Sequence, residues 1–168
     1  VSRRELSGRE EIRAVATVGM VGDIVANVGR GRVRVEALMG PGIDPHLYKA
    51  SEGDLRRIER ADAVFFSGLH LEAKMGDVLE RIGEGRLVVA AAAGIPAGRL
   101  LREPSGATDP HVWFDVELWA LAARRVASAL SAADPEHADL YRANEQRYLA
   151  ELDELDRYVQ RRAQGVPV

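Results

Sequence analysis

The sequence predicts an α/β fold, a parallel four-stranded sheet covered by helices on both faces and followed by a long carboxy-terminal helix. Three observations predict it. Short runs that are apolar on both faces alternate with helical stretches of about ten residues, the pattern of a parallel sheet buried between helix layers. Turn-forming glycines and prolines fall between those runs rather than inside them. After Pro135 and as far as about Gln164 the chain contains neither glycine nor proline, and one apolar stripe runs through it.

The elements follow in order. Residues 12–18 read as a buried strand ending at Gly19, and residues 20–29 as a helix. Val33 to Met39 is a second strand, followed by the loop Gly40 to Tyr48. A helix from Ser51 to Arg60 has Ser51 as its cap and Asp54 at the capping-box position. Ala63 to Ser67 is a short apolar strand, Leu71 to Arg81 a helix, and Leu87 to Ala92 the fourth strand. Residues 93–110, with three prolines and three glycines, read as a loop, after which Asp115 caps a helix to about Ala133. In the last segment Tyr141, Tyr148, Leu152, Leu155 and Val159 recur at spacings of 7, 4, 3 and 4, one face of a helix. A helix of that length spans about 45 Å, more than a domain of this size needs for its own core.

Composition narrows the function. A length of 168 residues accommodates one domain with an appended element, and 46% hydrophobic residues suffice for a core. A net charge of -3 gives no basic footprint for nucleic acid. Only Lys49 and Lys74 among the 23 basic residues are lysines, and Arg30, Arg32 and Arg34 read as the solvated side of a strand entrance. The absence of cysteine removes thiolate metal sites and disulfides. Val1 to Glu11 is too polar for a signal peptide, so an exported protein would be present here in its processed form.

The chemistry concentrates in a repeated tripeptide. Asp44-Pro45-His46 and Asp109-Pro110-His111 hold two of the four histidines, each leaving a proline-stiffened turn at the carboxyl end of a strand. One such histidine is accounted for by a tight turn; two of them point to a metal site. Two imidazoles do not close a site, because structural zinc takes four protein ligands and catalytic zinc three plus water. His70, after the third strand, reads as a neighbour or lid rather than a ligand, and His137 as a solvated surface residue. Trp119 reads as core, whereas Trp113 can supply an apolar wall beside His111. Glu72 with Asp77, or Asp115 with Glu117, lie where helix surfaces carry charge and do not argue for catalysis. Gly-x-Ser-x-Gly, Walker A, Gly-x-Gly-x-x-Gly and His-Glu-x-x-His motifs are all missing.

A resemblance then joins these pieces. Gly40 to His46, Ala61-Asp62, Gly68-Leu69 with Leu71-Glu72, and Asp109 to Asp115 resemble, in that order, the TroA-like periplasmic zinc- and manganese-binding proteins that feed ABC transporters. The likeness runs from Arg13 through Gln164. It implies a fold of two α/β lobes joined by one long rigid helix, with metal held between the lobes. It makes His46 and His111 metal ligands, with zinc or manganese as transported ligand and no organic cofactor. Residues 1–133 become the amino-terminal lobe and residues 134–168 the first part of the interlobe backbone helix. The carboxy-terminal lobe, which supplies a further histidine and a carboxylate, is absent from this chain. We therefore read an excised amino-terminal lobe, the alternative being a half-molecule whose exposed stripe invites self-association.

Residues 93–108 contain no histidine, which fits the zinc/manganese type rather than the zinc-specialised one. The implied partner is an ABC permease in the cytoplasmic membrane, and the location periplasmic or extracytoplasmic, with or without a lipid anchor. On this reading the protein is not an enzyme. The competing readings are a metal-dependent hydrolase with a two-histidine site and an interaction role for the long helix.

Overall fold

The computed structural model describes residues 6–76, 78–79 and 86–165. Four strands, β1 (Ile12–Val18), β2 (Val33–Met39), β3 (Ala63–Phe66) and β4 (Leu87–Ala90), form one parallel sheet in the order β2-β1-β3-β4. The helices are α1 (Gly19–Val28), α2 (Glu52–Arg60), α3 (Val116–Ala133) and α4 (Ala138–Ala163). This is the expected class and strand number.

Close packing follows from small residues. Gly22 of α1 lies over Ala16 and Ala37, where an added Cβ would sit 3.6 and 3.8 Å from their methyl groups. At Gly29, which ends α1, a Cβ would come within 2.5 Å of Val33 Cβ, so only glycine lets the chain turn into β2. Val21, Ile24, Val25 and Val28 of α1 are fully buried, as are Ala122, Ala123, Val126 and Leu130 of α3. Each buried valine, isoleucine or leucine contributes about 1.5–3 kcal/mol.

The second face of the sheet is more thinly dressed. It carries Arg13 and Val15 of β1 with Arg34 and Glu36 of β2, and α2 lies beside them across a groove. The expected cover on both faces is therefore complete on the α1 side and open along the outer strand on the other.

Helix α4 is tied to the lobe by polar anchors as well as by its stripe. Asn144 Nδ2 donates to the carbonyls of Val28 and Arg30, and Tyr148 donates to Asp23 Oδ2 at 2.8 Å. Tyr141, Tyr148 and Leu152 are buried, whereas Leu155, Tyr158 and Val159 are exposed. The stripe is thus covered over its first half and bare over its second.

Several sequence expectations need correction. Arg32 is buried rather than solvated: its Nε donates to Asp134 Oδ2 at 2.8 Å, and its Nη1 reaches the carbonyls of Arg9 and Glu10. Asp134 also accepts from Tyr141 at 2.7 Å and contacts His137 Nδ1 at 3.2 Å, so His137 sits on a buried acid instead of standing free. Pro135–His137 form a separate 3-10 turn before α4 begins. β4 ends at Ala90, where Arg125 Nε captures the carbonyl, and Ala91–Gly94 turn as a 3-10 helix. The helix expected from Leu71 to Arg81 starts as a 3-10 turn at Ala73–Met75; Asp77 and 80–85 lie outside the described residues.

Candidate metal site

All four strands point their carboxyl ends at one rim, and the two outer strands feed the loops that matter. His46 follows β2, and His111 arrives after the long excursion from β4. The two rings meet: His46 Nε2 and His111 Nε2 are 3.3 Å apart, with centroids 5.3 Å apart and planes inclined by 52°.

Both histidines are set by the same local device. Asp44 Oδ1 accepts from the His46 backbone N–H at 2.9 Å, and Asp109 Oδ1 accepts from that of His111 at 2.9 Å. In each turn the aspartate bonds the chain two residues on, across a proline whose φ is fixed. Beyond His46, Tyr48 donates to Asp54 Oδ2 at 2.7 Å, inside the capping box that Ser51 and Asp54 make at the start of α2. Burial and then this hydrogen bond push the Tyr48 phenol up to about 12. Beyond His111, Asp115 accepts from Leu118 N–H and caps α3. Each loop is thereby stapled to a helix.

The two rings differ in one respect. His111 Nδ1 lies 2.7 Å from Asp109 Oδ1, and the N–H and ring of His111 together hold the Asp109 carboxyl below its ordinary range. That contact places the ring proton on Nδ1 and turns the Nε2 lone pair of His111 toward His46. Trp113 stands edge-on to His111 at 5.2 Å between centroids and forms part of an apolar surround. Ile43 and Leu47 in the His46 loop, and Leu101 and Phe114 beside His111, expose their side chains.

The separation of 3.3 Å has a chemical meaning. Two nitrogens bound to one tetrahedral ion at about 2.0–2.1 Å stand about 3.3–3.4 Å apart. The pair therefore has the spacing of two corners of a zinc-type shell. No group of three or more histidine, aspartate or glutamate side chains arranged to hold a metal occurs among the described residues.

The other candidates fall outside this pair. His70 lines a cavity of about 430 Å³ beside Gly68 and Ala73 and makes no hydrogen bond to either histidine among the described residues. It stands in an unusual turn, with φ of 55° at Leu69 and 64° at His70. Glu72 holds that turn. Contrary to its expected place on a helix surface, it is buried, accepting from Thr17 Oγ1 at 2.6 Å and from the N–H groups of Ser67 and Gly68. Glu117 is exposed and paired with Arg99. The one sequence cue to the role of Glu72 was its position just after an apolar strand that ends in serine and glycine.

The family model described as zinc-uptake complex component A, periplasmic (ZnuA), matches residues 14–168. The chain belongs to this ZnuA family. Among its relatives, the manganese-binding lipoprotein MntA of Bacillus subtilis is 43% identical over 162 residues, covering 96% of this chain and 53% of that protein. The zinc-binding protein TroA of Treponema pallidum is 43% identical over 153 residues, covering 91% of this chain and 50% of that protein. The solved structure of periplasmic TroA matches with a TM-score of 0.89 at 42% identity, over 94% of this chain and 57% of that one. The chain thus spans about half the length of the ZnuA-family relatives it matches.

Proposed function

We propose that this chain works as the amino-terminal lobe of the substrate-binding component of an ABC importer for a divalent transition metal, zinc or manganese. His46 and His111 supply two ligands to the transported ion. The observation that carries the reading is the convergence of the two Asp-Pro-His turns, from the outer strands of the sheet, to an Nε2 separation of 3.3 Å. The names of the relatives, manganese-binding lipoprotein and zinc-binding protein, support the class of cargo.

On this reading residues 1–133 belong to the lobe and 134–168 to the segment, built around α4, that leads to a second lobe. Two features support that division: the exposed Ile43, Leu47, Leu101 and Phe114 around the histidines, and the bare stretch of α4 from Leu155. Both are apolar surfaces that a second unit would cover, and the second unit completes the metal shell. The protein acts outside the cytoplasm and hands its ion to a membrane permease, a reading supported by the family description as periplasmic and by a relative's name as an ABC transporter substrate-binding lipoprotein. Self-association of this half alone follows from the same bare surfaces.

The hydrolase reading is not supported, because the matching family is described as a component of zinc uptake. Titration calorimetry with zinc tests the assignment. His46→Ala and His111→Ala each abolish or weaken binding at least about tenfold, and affinity falls on acidification because protonated imidazole cannot coordinate. Unchanged binding in both variants would overturn it.

A further inference from the structure

We propose that the groove between α2 and the open face of β1 and β2 binds a phosphate group. This cavity, about 370 Å³, is lined by four guanidinium side chains, Arg13, Arg34, Arg57 and Arg60, and by Glu11 and Glu36. It lies at the lower half of the strands, away from the rim that carries His46 and His111, and neither histidine lines it.

The arginines of the groove are only loosely paired within the protein. Arg13 and Arg34 are register partners on adjacent parallel strands, a like-charge juxtaposition that costs stability unless an anion relieves it. The carboxylates nearest the other groups are committed elsewhere. Asp62 takes Arg9 at 2.8 Å and the Arg13 backbone N–H at 2.9 Å, leaving the Arg13 guanidinium at 3.6 Å. Asp54 serves Tyr48 and Ser51 and stays 3.7 Å from Arg57. Arg34 and Arg60 have no ion pair among the described residues, and neither Glu11 nor Glu36 bridges to any of the four.

Arg13 and Arg57 keep long contacts to Asp62 and Asp54, so Arg34 and Arg60 are the guanidinium groups free to meet the roughly −1.5 to −2 charge of a phosphate monoester at neutral pH. The planar fork of arginine presents parallel N–H donors to phosphate oxygens. The carboxyl pole of α2 faces the same side and subtracts a fraction of a charge, so recognition rests on the forks themselves. The phosphate can belong to a soluble species or to a phospholipid headgroup; both present the same oxygens.

The test uses the whole 168-residue chain and the double variant Arg34→Gln/Arg60→Gln, both positions being exposed. Calorimetry with inorganic phosphate forms one arm, and co-sedimentation with phosphatidylcholine vesicles containing phosphatidic acid the other. The wild-type chain binds in at least one arm, and the variant binds about tenfold or more weakly there. Binding in the first arm identifies a soluble phosphate, and binding in the second alone a headgroup. Zinc titration of the variant, unchanged from wild type, shows that it is folded and separates this site from the histidine pair. No binding in either arm, or equal binding by the two proteins, overturns the proposal.

Discussion

Two histidine–carboxylate pairs in this molecule look alike and do different work. His111 Nδ1 meets Asp109 at 2.7 Å on the rim, and His137 Nδ1 meets Asp134 at 3.2 Å at the root of α4. The difference lies in what else each carboxylate holds. Asp109 is 34% exposed and serves His111 alone, through ring and backbone, so the far nitrogen of that ring is turned out toward His46. Asp134 is fully buried and already engaged by Arg32 and Tyr141, so His137 adds a third bond to a finished knot. Contact chemistry alone does not separate the two histidines; what the far nitrogen meets does, since His111 Nε2 faces His46 Nε2.

The sharpest way to break this contrast is to remove the acids. Asp134→Ala leaves Arg32 buried without its partner and costs about 3–5 kcal/mol, measured by urea unfolding at pH 7. A loss below about 1 kcal/mol would show that the knot is not structural. The same acid sets an acid limit on the fold. Burial pushes its carboxyl up, but hydrogen bonds from Arg32, Tyr141 and His137 outweigh this and hold it below the ordinary value. Its stabilisation is therefore complete above about pH 4 and drains away as pH falls through the lower folded-state value. Asp134→Ala flattens that acid limb of a stability–pH curve.

On the rim the expected effect is smaller and of another kind. Asp109→Asn keeps the turn but weakens the carboxylate's hold on the His111 ring, lowering zinc affinity about 10–100-fold while unfolding stability stays within about 0.5 kcal/mol of wild type. Equal damage to stability would make the two pairs the same after all. The smallest effect belongs to His137→Ala. Its ring is 38% exposed and Asp134 keeps its other partners, so the cost is below about 1 kcal/mol and zinc titration does not change.

What the sequence made legible was local or periodic. Ser51 and Asp54 lie three residues apart and could be read as a capping box, which the structure bears out with both bonds formed. Asp115 as the cap of α3 and Trp119 as core belong to the same class, whereas the meeting of His46 and His111 across 65 positions was signalled only by the repeated tripeptide and the family resemblance. The missed roles depend on distant partners. Arg32 finds Asp134 across 102 positions and Glu72 finds Thr17 across 55, and nothing adjacent to either residue hints at burial. Arg32 sits in an alternation of arginines and glycines that reads equally well as solvated. Glu72 looks like any acidic residue near a helix start. Pairings of this kind are set by the strand order, which brings β3 beside β1, and the local pattern carries no record of it.

Helix α4 has a mechanical consequence. Its 26 residues make a rod about 39 Å long, gripped near Tyr141 and Asn144 and clear of the lobe by Leu155. A tilt of about 5° where Leu152 leaves the lobe sweeps the far end at Ala163 through about 1.4 Å. The last holds on the lobe, Tyr148 on Asp23 and buried Leu152, are therefore the fulcrum, and slack there is carried outward to Val159.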